Sequence, residues 1–159
     1  MSESLFVTPN QPKSTVYQEL YPQLKALLEG EKDLIANMAN TAAALKEVFG
    51  WWWVGFYLVK NSQLVLGPFQ GPVACTRIGF GKGVCGTSWK EKRSILVPDV
   101  NLFPGHIACS SASKSEIVVP LFDNKNEVFA VLDVDSEYFD VLDETDVEWL
   151  QEIVKIVHP

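Results

Sequence analysis

The sequence lacks any apolar run of the roughly 18 to 20 residues that a membrane-spanning helix needs. Its N-terminal stretch MSESLFVTPNQPKST has neither the charged n-region nor the apolar h-region of a secretory signal. Basic residues are also scarce, since 13 Lys and Arg face 20 Asp and Glu for a net charge of -7. Such a chain repels phosphate backbones and anionic lipid headgroups. We therefore expect a cytoplasmic protein that binds neither nucleic acid nor a membrane.

Cysteine and histidine are sparse as well. The chain has three cysteines with no CxxC pair, and its two histidines are His106 and His158. This pattern fits neither a secreted disulfide framework nor the usual spacing of a zinc site. The glycine-rich GFGKGVCG also lacks the spacing of a phosphate-binding loop. We expect no bound metal, no other cofactor, and cysteines that are free for redox chemistry.

The order of the periodic segments predicts one α+β domain. Residues 1–13 are rich in Ser, Pro, Asn and Gln, so we interpret them as a flexible N-terminal arm before a single domain at 14–159. Short β-rich runs are predicted to form hairpins around the turns at 60–62 and 123–126. Neighbouring strands with helices at the ends of the chain favour an antiparallel β-sheet with helices packed on it.

Three longer helices are predicted from apolar residues at helical spacing. The first covers 14–28, although Pro22 should kink or interrupt it. The second covers 33–49 and is followed by a glycine, which is a good stop signal. The last begins near Asp143 or Glu144, with acidic residues in its first turn. These helices carry apolar stripes that are more simply core than cofactor site.

Acidic and aromatic side chains lie at alternate positions of three predicted strands. Successive side chains of a strand point to opposite faces, so Asp133 and Asp135 share one face in EVFAVLDVDS, and Trp53 and Tyr57 share one face in WVGFYLV. Glu116 occupies an apolar face of EIVVPLF. Taken singly, the carboxylates are more often solvated and the aromatics more often core. Together they suggest one pocket, in which clustered carboxylates raise one another's pKa and one could act as a general acid.

The three cysteines lie in or beside loops. Cys109 follows His106 in a loop of small polar residues, which is a plausible setting for a reachable, reactive thiol. Cys85 lies at a glycine-rich strand-to-helix turn, where a helix N-terminus favours the thiolate. Cys75 is on a predicted strand. For each cysteine alone, a small buried hydrophobic side chain is the commoner situation.

Five motifs in order resemble one known family. They are WVGFYLV, LVLGPFQGPVACTRI, GKGVCGTSW, PGHIACSSASKSEIVVPL and VLDVDS, and the resemblance covers roughly 33–157. The chain is similar to the free methionine-R-sulfoxide reductases, which are built on a GAF domain. Ser110 and Lys114 stand where that family has Asp and Asn, and Lys82 replaces a usual Arg.

The resemblance implies a GAF fold whose pocket binds free L-methionine (R)-S-oxide, in a homodimer recycled by thioredoxin. It implies that Cys109 is the nucleophile and that Cys85 and Cys75 serve in resolving or recycling disulfides. The same resemblance implies that the acidic residues bind substrate or transfer a proton and that the aromatic residues form a wall: Glu116, Asp133, Asp135, Trp53 and Tyr57.

Two other functions stay open on the sequence alone. GAF domains also sense small ligands without catalysis, because a fold does not fix a function. The cysteines could also form a regulatory disulfide without turning over a substrate. A nucleotide ligand is disfavoured, because three acidic groups in one pocket would repel its phosphate. Consumption of a thiol reductant that depends on substrate separates the enzyme from both alternatives.

Overall fold

A six-stranded antiparallel sheet with strand order β3-β2-β1-β6-β5-β4 forms the centre of the structure, a computed structural model that describes residues 4–158. Four α-helices pack on the sheet, which confirms the predicted α+β class. In chain order the elements are α1 (Lys13–Leu28), α2 (Leu34–Phe49), β1 (Trp53–Lys60), β2 (Gln63–Gln70), β3 (Arg77–Gly79), α3 (Gly83–Glu91), β4 (Ile95–Val97), a 3-10 turn (Val100–Leu102), β5 (Ser115–Phe122), β6 (Val128–Ser136) and α4 (Glu144–Val154).

The three central strands, β1, β5 and β6, are buried on both faces of the sheet. On one face, α1, α2 and α4 cover the main core, which includes Phe56 and Leu132. On the other face, α3 and the loops cover a second, smaller cluster that includes Tyr57 and Val131. Strands buried on both faces are nearly continuous in apolar residues, as WVGFYLV is, rather than alternating with polar ones. The second cluster adjoins the candidate site.

The predicted hairpins are confirmed, as are the end of the second helix and the start of the last one. β1 pairs with β2, and β5 pairs with β6, each across the expected turn. Asp33 caps α2 by accepting from the Ala36 N–H, and Gly50 ends that helix in the left-handed conformation with φ of 66°. Asp143 begins α4 in a capping box with Asp146.

The expected interruption of the first helix is wrong, because α1 continues through Pro22. Proline costs about 3 kcal/mol in a helix interior because it removes one backbone donor and crowds the preceding turn. Here Pro22 is exposed, while Tyr17, Leu20 and Leu24 are fully buried on the opposite stripe. The burial of this stripe outweighs the local penalty.

The described part of the arm lies along α1. The N–H and hydroxyl of Thr8 both donate to the Glu19 carboxylate, and Gln23 exchanges hydrogen bonds with the backbone of Phe6. The helix itself starts at Lys13, one residue earlier than expected. Residues 1–3 and 159 lie outside the described range, and the flexibility of the arm and the limits of the domain stay predictions.

Within residues 4–158, none of the helices combines the length and apolar character that crossing a bilayer requires.

Candidate active site

The three central strands bring the predicted acidic and aromatic residues to one end of one sheet face. In the antiparallel register, Asp135 of β6 lies opposite Trp53 of β1 on one side and opposite Glu116 of β5 on the other. Asp133, two residues earlier, lies opposite Gly55. All of these side chains except the glycine line the same cavity, together with Tyr57. The pocket that strand alternation suggests is therefore present.

Two of the three carboxyl groups are buried. Glu116 is 6% exposed and Asp133 is 7% exposed, so the alternative of solvated strand-end residues does not hold for them. Asp135 is partly exposed, and its Oδ1 accepts a 2.7 Å hydrogen bond from the Ser113 hydroxyl. The Oδ1 of Asp133 is buried without a hydrogen-bond partner. A buried acceptor of this kind costs free energy until a donor reaches it.

Burial and mutual repulsion favour the protonated forms of these carboxyl groups. Burial raises the pKa of Glu116 to about 8, and the nearby Asp135 adds to the rise, while a hydrogen bond with Asp133 acts in the opposite direction. Burial, followed by Glu116, raises the pKa of Asp133 well above its usual range. The pKa of Asp135 is raised in the same way by burial and by Asp133. These carboxyl groups therefore retain protons near neutral pH.

Trp53 and Tyr57 form an aromatic wall beside the carboxyl groups. Their ring centroids are 6.0 Å apart, and Trp53 also stacks on Phe69 at 5.3 Å. The indole N–H of Trp53 donates to the Pro72 carbonyl at 3.0 Å, and the Tyr57 hydroxyl donates to the Cys75 carbonyl at 2.9 Å. The two aromatic side chains thus also hold the loop that carries Cys75.

Cys75 and Cys109 form a disulfide at the mouth of the cavity, with their Cα atoms 5.6 Å apart. Cys109 is exposed and Cys75 is partly exposed. The expectation of Cys75 on a strand is wrong, because it lies in the loop before β3. Two loops separated by 34 residues in sequence meet at this bond.

Cys85 is the third cysteine, and it is a buried free thiol on α3. It is the third residue of the helix, which agrees with the predicted helix N-terminus. The expected thiolate does not follow, because burial and then the carboxyl groups of Asp133 and Glu116 raise the pKa of the Cys85 thiol. Desolvation and negative neighbours outweigh the helix dipole here.

Several further side chains line the cavity that the sequence did not assign to the site, and His106 and Ser113 are two of them. His106 places its Nε2 3.4 Å from Oε2 of Glu116, and burial lowers the pKa of this imidazole. Ser113 orients Asp135 through the hydrogen bond described above. Both lie in the loop before β5, whose course no periodic pattern reveals. In the sequence, the signal that could have assigned His106 and Ser113 to the site was their closeness to Cys109.

The structure also brings together three potential metal ligands. Cys85, Glu116 and Asp133 each place one ligand atom within 4.8 Å of the others. The expectation of no metal considered pairs of histidine and cysteine, so it did not anticipate this mixed cluster. That expectation stays a prediction. The high proton affinity of all three groups means that a cation would have to displace protons to bind.

The fold and the site define a small-molecule pocket on an α+β domain. The model of the GAF domain family matches residues 31–157. The chain is 53% identical over 158 residues to GAF domain-containing protein A of Dictyostelium discoideum, with 99% of each chain covered. It is 45% identical over 143 residues to free methionine-R-sulfoxide reductase of Escherichia coli, covering 89% of this chain and 86% of that one.

A solved structure agrees with these sequence comparisons. Free methionine-R-sulfoxide reductase from Neisseria meningitidis, in complex with its substrate, superposes with a TM-score of 0.95 at 51% identity, covering 98% of this chain and 93% of that one. The chain belongs to the GAF domain family and, within it, to the free methionine-R-sulfoxide reductases.

Proposed function

We propose that this protein reduces free L-methionine (R)-S-oxide to L-methionine, with Cys109 as the nucleophile and Cys75 as the resolving cysteine. The observation that carries the proposal is the disulfide between these two residues at the mouth of a pocket with three carboxyl groups. The relatives named for this activity support the choice of substrate. The same relatives favour a catalyst over a ligand sensor.

The thiol chemistry follows a two-step cycle. The Cys109 thiolate attacks the sulfoxide sulfur and the sulfoxide oxygen takes up a proton. The oxygen then passes to the Cys109 sulfur as the bond between the two sulfurs breaks, so that methionine leaves as the thioether and Cys109 becomes a sulfenic acid. The Cys75 thiolate then attacks the sulfenic sulfur, which forms the disulfide and, with one proton, releases water. An external dithiol returns both cysteines to thiols and is itself oxidised. The exposure of Cys109 and the proximity of Cys75 suit these roles.

Cys85 is less suited to resolve the sulfenic acid. Its raised pKa keeps it as a thiol, and it is buried against Asp133 rather than paired with Cys109. The thiolate is the attacking species in disulfide formation, so a high pKa slows this step near neutral pH. We assign Cys85 to the wall of the pocket.

The carboxyl groups serve binding and proton transfer. The substrate's α-ammonium group would supply the hydrogen-bond donor that Asp133 lacks and would favour ionisation of its neighbours. A second carboxyl group that remains protonated can deliver a proton to the departing oxygen. Glu116 is our candidate for this donor because its pKa of about 8 lies close to neutral pH. Trp53 and Tyr57 would contact the apolar part of the substrate.

Selection for the free amino acid follows from the same arrangement. Methionine sulfoxide within a peptide has no α-ammonium group to satisfy the buried carboxyl groups, and leaving such groups unpaired is costly. The cavity beside the closed disulfide measures about 50 Å³, which is room for a few water molecules. Reduction of the disulfide must precede catalysis, because Cys109 attacks as a thiolate.

The test is a coupled assay with thioredoxin on free R-sulfoxide, free S-sulfoxide and a peptide containing the sulfoxide. We expect turnover of the free R form alone, and none in Cys109→Ser. In Cys75→Ser we expect one methionine per protein and a sulfenic acid at Cys109. Cys85→Ser should still form the disulfide between Cys75 and Cys109 after one turnover, as read by mass spectrometry.

Each part of the proposal has its own contrary result. Equal rates on free and peptide-bound sulfoxide would contradict the role of the ammonium group. Loss of the disulfide in Cys85→Ser, together with formation of a disulfide between Cys85 and Cys109 in Cys75→Ser, would exchange the two resolving assignments. If no substrate is turned over by the folded, reduced protein, the cysteines belong to a redox sensor. Thioredoxin as the reductant, the homodimer and the cytoplasmic location stay predictions.

A further inference from the structure

Four side chains that line the cavity carry atoms of the kind that bind metal ions, and we call them the donor cluster. Cys85 belongs to α3, Glu116 to β5 and Asp133 to β6, and one ligand atom of each lies within 4.8 Å of the other two. His106, in the loop before β5, places its Nε2 3.4 Å from Oε2 of Glu116. All four residues line the cavity. The donor cluster thus offers a sulfur, an imidazole nitrogen and two carboxyl groups.

The spacing of these atoms is close to that of a tetrahedral metal site. Zinc lies about 2.0 to 2.2 Å from nitrogen and oxygen ligands and about 2.3 Å from sulfur, so neighbouring ligand atoms are about 3.3 to 3.6 Å apart. The distance of 3.4 Å between His106 and Glu116 already has this value. Atoms of Cys85, Glu116 and Asp133 that lie within 4.8 Å would need to approach by roughly 1 Å, which side-chain rotation can supply.

Asp133 supplies an independent indication that this cluster takes a ligand. The residue is 7% exposed, and its Oδ1 has no hydrogen-bond partner within residues 4–158. A buried carboxyl oxygen of this kind is costly unless a donor or a cation reaches it. Buried acidic groups are commonly paired with a positive charge or coordinate a metal ion. The unpaired oxygen lies in a residue of the donor cluster, so a cation bound there would satisfy it.

We propose that the donor cluster reversibly binds a divalent cation of the zinc type, and that this cation competes with ligands that carry an ammonium group. Both kinds of ligand would use the same oxygen of Asp133 and the same cavity. Thiolate and imidazole ligands suit Zn²⁺ and Co²⁺, whereas Mg²⁺ and Ca²⁺ prefer a shell of six or more oxygen atoms. Metal binding is independent of the proposed reductase activity, but the competition rests on it.

Protons in the cluster make the binding reversible. Burial raises the pKa of Cys85, Glu116 and Asp133, so the cation must displace protons from these groups, which weakens its apparent affinity. Burial lowers the pKa of His106, which favours the neutral imidazole that binds metals. A site of this kind takes up the cation when its concentration rises and releases it when it falls. The expectation that the chain holds no resident metal is compatible with such a site.

Metal binding is tested on the purified protein in its disulfide form, without any sulfoxide. In this form Cys85 is the one free thiol, because the other two cysteines of the sequence are paired. Co²⁺ serves as the probe, since a thiolate bound to cobalt gives a charge-transfer absorption band, and in this form the band has only one origin. We expect the band to appear with Co²⁺, to disappear when Zn²⁺ is added, and to persist in excess Mg²⁺. A wild-type protein that gives no band overturns the proposal, whatever the variants do.

Variants identify the ligands of the cation. Cys85→Ser should abolish the band, and Glu116→Gln and His106→Asn should each weaken Co²⁺ binding by more than about tenfold. The matched controls are Glu47→Gln and His158→Asn, which change exposed residues outside the cavity and should leave the affinity unchanged. A band that persists in Cys85→Ser overturns the proposal. Affinities of Glu116→Gln and His106→Asn equal to those of the controls overturn it as well, because the cation would then lie elsewhere.

Competition is tested in the double variant Cys75→Ser/Cys109→Ser, which cannot close the disulfide and keeps Cys85 as its one thiol. Free methionine should displace Co²⁺ from this variant and reduce the band, whereas N-acetylmethionine, which has no ammonium group, should not. Glycine is the control for removal of the metal by chelation in solution, because it offers the same amino and carboxylate groups. Displacement by methionine no greater than that by glycine would contradict the competition and the proposed ammonium pocket, while the band itself would still establish the metal site.

Discussion

Replacing Glu116 by Gln should make the protein more stable than wild type at pH 8, with little difference at pH 5. The pKa of this carboxyl group is raised from 4.5 to about 8 in the folded state, first by burial and then by Asp135. Between these two values the folded protein holds a proton that the unfolded chain has released. Stability therefore falls as the pH rises through this window. Gln imitates the neutral carboxyl group and does not titrate.

The size of the effect follows from the pKa shift. Each unit of pKa difference corresponds to about 1.4 kcal/mol, so the stability difference between variant and wild type should grow by about 3 kcal/mol between pH 5 and pH 8. The neighbouring Asp133 contributes in the same direction, because its own pKa is raised by Glu116. The Gln variant relieves this repulsion too.

The assay is urea unfolding of the disulfide form, followed by tryptophan fluorescence at pH 5, 6, 7 and 8. Glu47→Gln on the exposed surface of α2 is the control for the loss of one carboxylate. Its stability difference from wild type should stay nearly constant across the series. If the curves for Glu116→Gln and wild type run parallel over the whole range, Glu116 is not retained in its neutral form, and it would not serve as the proton donor.

Two further predictions concern packing and capping. In Gly55→Ala, the added Cβ would lie 2.5 Å from Cη2 of Trp53 and still closer to Cβ of Phe69. We therefore expect the free energy of unfolding to fall by roughly 1 to 3 kcal/mol and the KM for the sulfoxide to rise. Unchanged values of both would mean that the aromatic wall can shift freely. In Asp143→Ala, the α4 cap to the N–H groups of Thr145 and Asp146 is lost, which should cost about 1 kcal/mol and lower Tm by roughly 2 to 4 °C. Calorimetry checks this against Glu144→Ala in the same helical turn, and an equal loss in both variants would exclude the cap as the cause.

Strand alternation was the most informative signal in the sequence. It placed Asp133 and Asp135 on one face, and Trp53 and Tyr57 on another, without knowledge of any contact between strands. The antiparallel register of β1, β5 and β6 then brings these faces together. Local geometry could be predicted because the period of two residues is a property of the chain itself.

The loops could not be predicted in the same way. The pairing of Cys75 with Cys109 depends on the meeting of two loops. These loops are 34 residues apart in sequence. The contact between His106 and Glu116 depends on how one of these loops folds back over β5. No periodic pattern specifies such paths, because irregular backbone has no repeating direction.

Local propensities failed where tertiary burial opposed them. Pro22 should kink or interrupt a helix, and a helix N-terminus should favour a thiolate at Cys85. The first effect is overcome by the buried stripe of α1, and the second by desolvation beside Asp133. In both cases the surrounding residues contribute more free energy than the local preference does.

Burial of the carboxyl groups lowers the stability of the folded protein but favours the binding of a ligand that can pair with them. Burying Glu116 and Asp133, including the Asp133 oxygen that has no hydrogen-bond partner, costs free energy relative to water. The apolar core under α1, α2 and α4 must offset this cost from the other face of the sheet. A ligand with an ammonium group relieves that cost on binding, because it supplies both a charge and hydrogen-bond donors. A neutral analogue of the same shape would not relieve it. The free energy that the fold gives up to bury these groups is thus recovered mainly with a ligand that carries an ammonium group, which would be the physical basis of the selectivity proposed above.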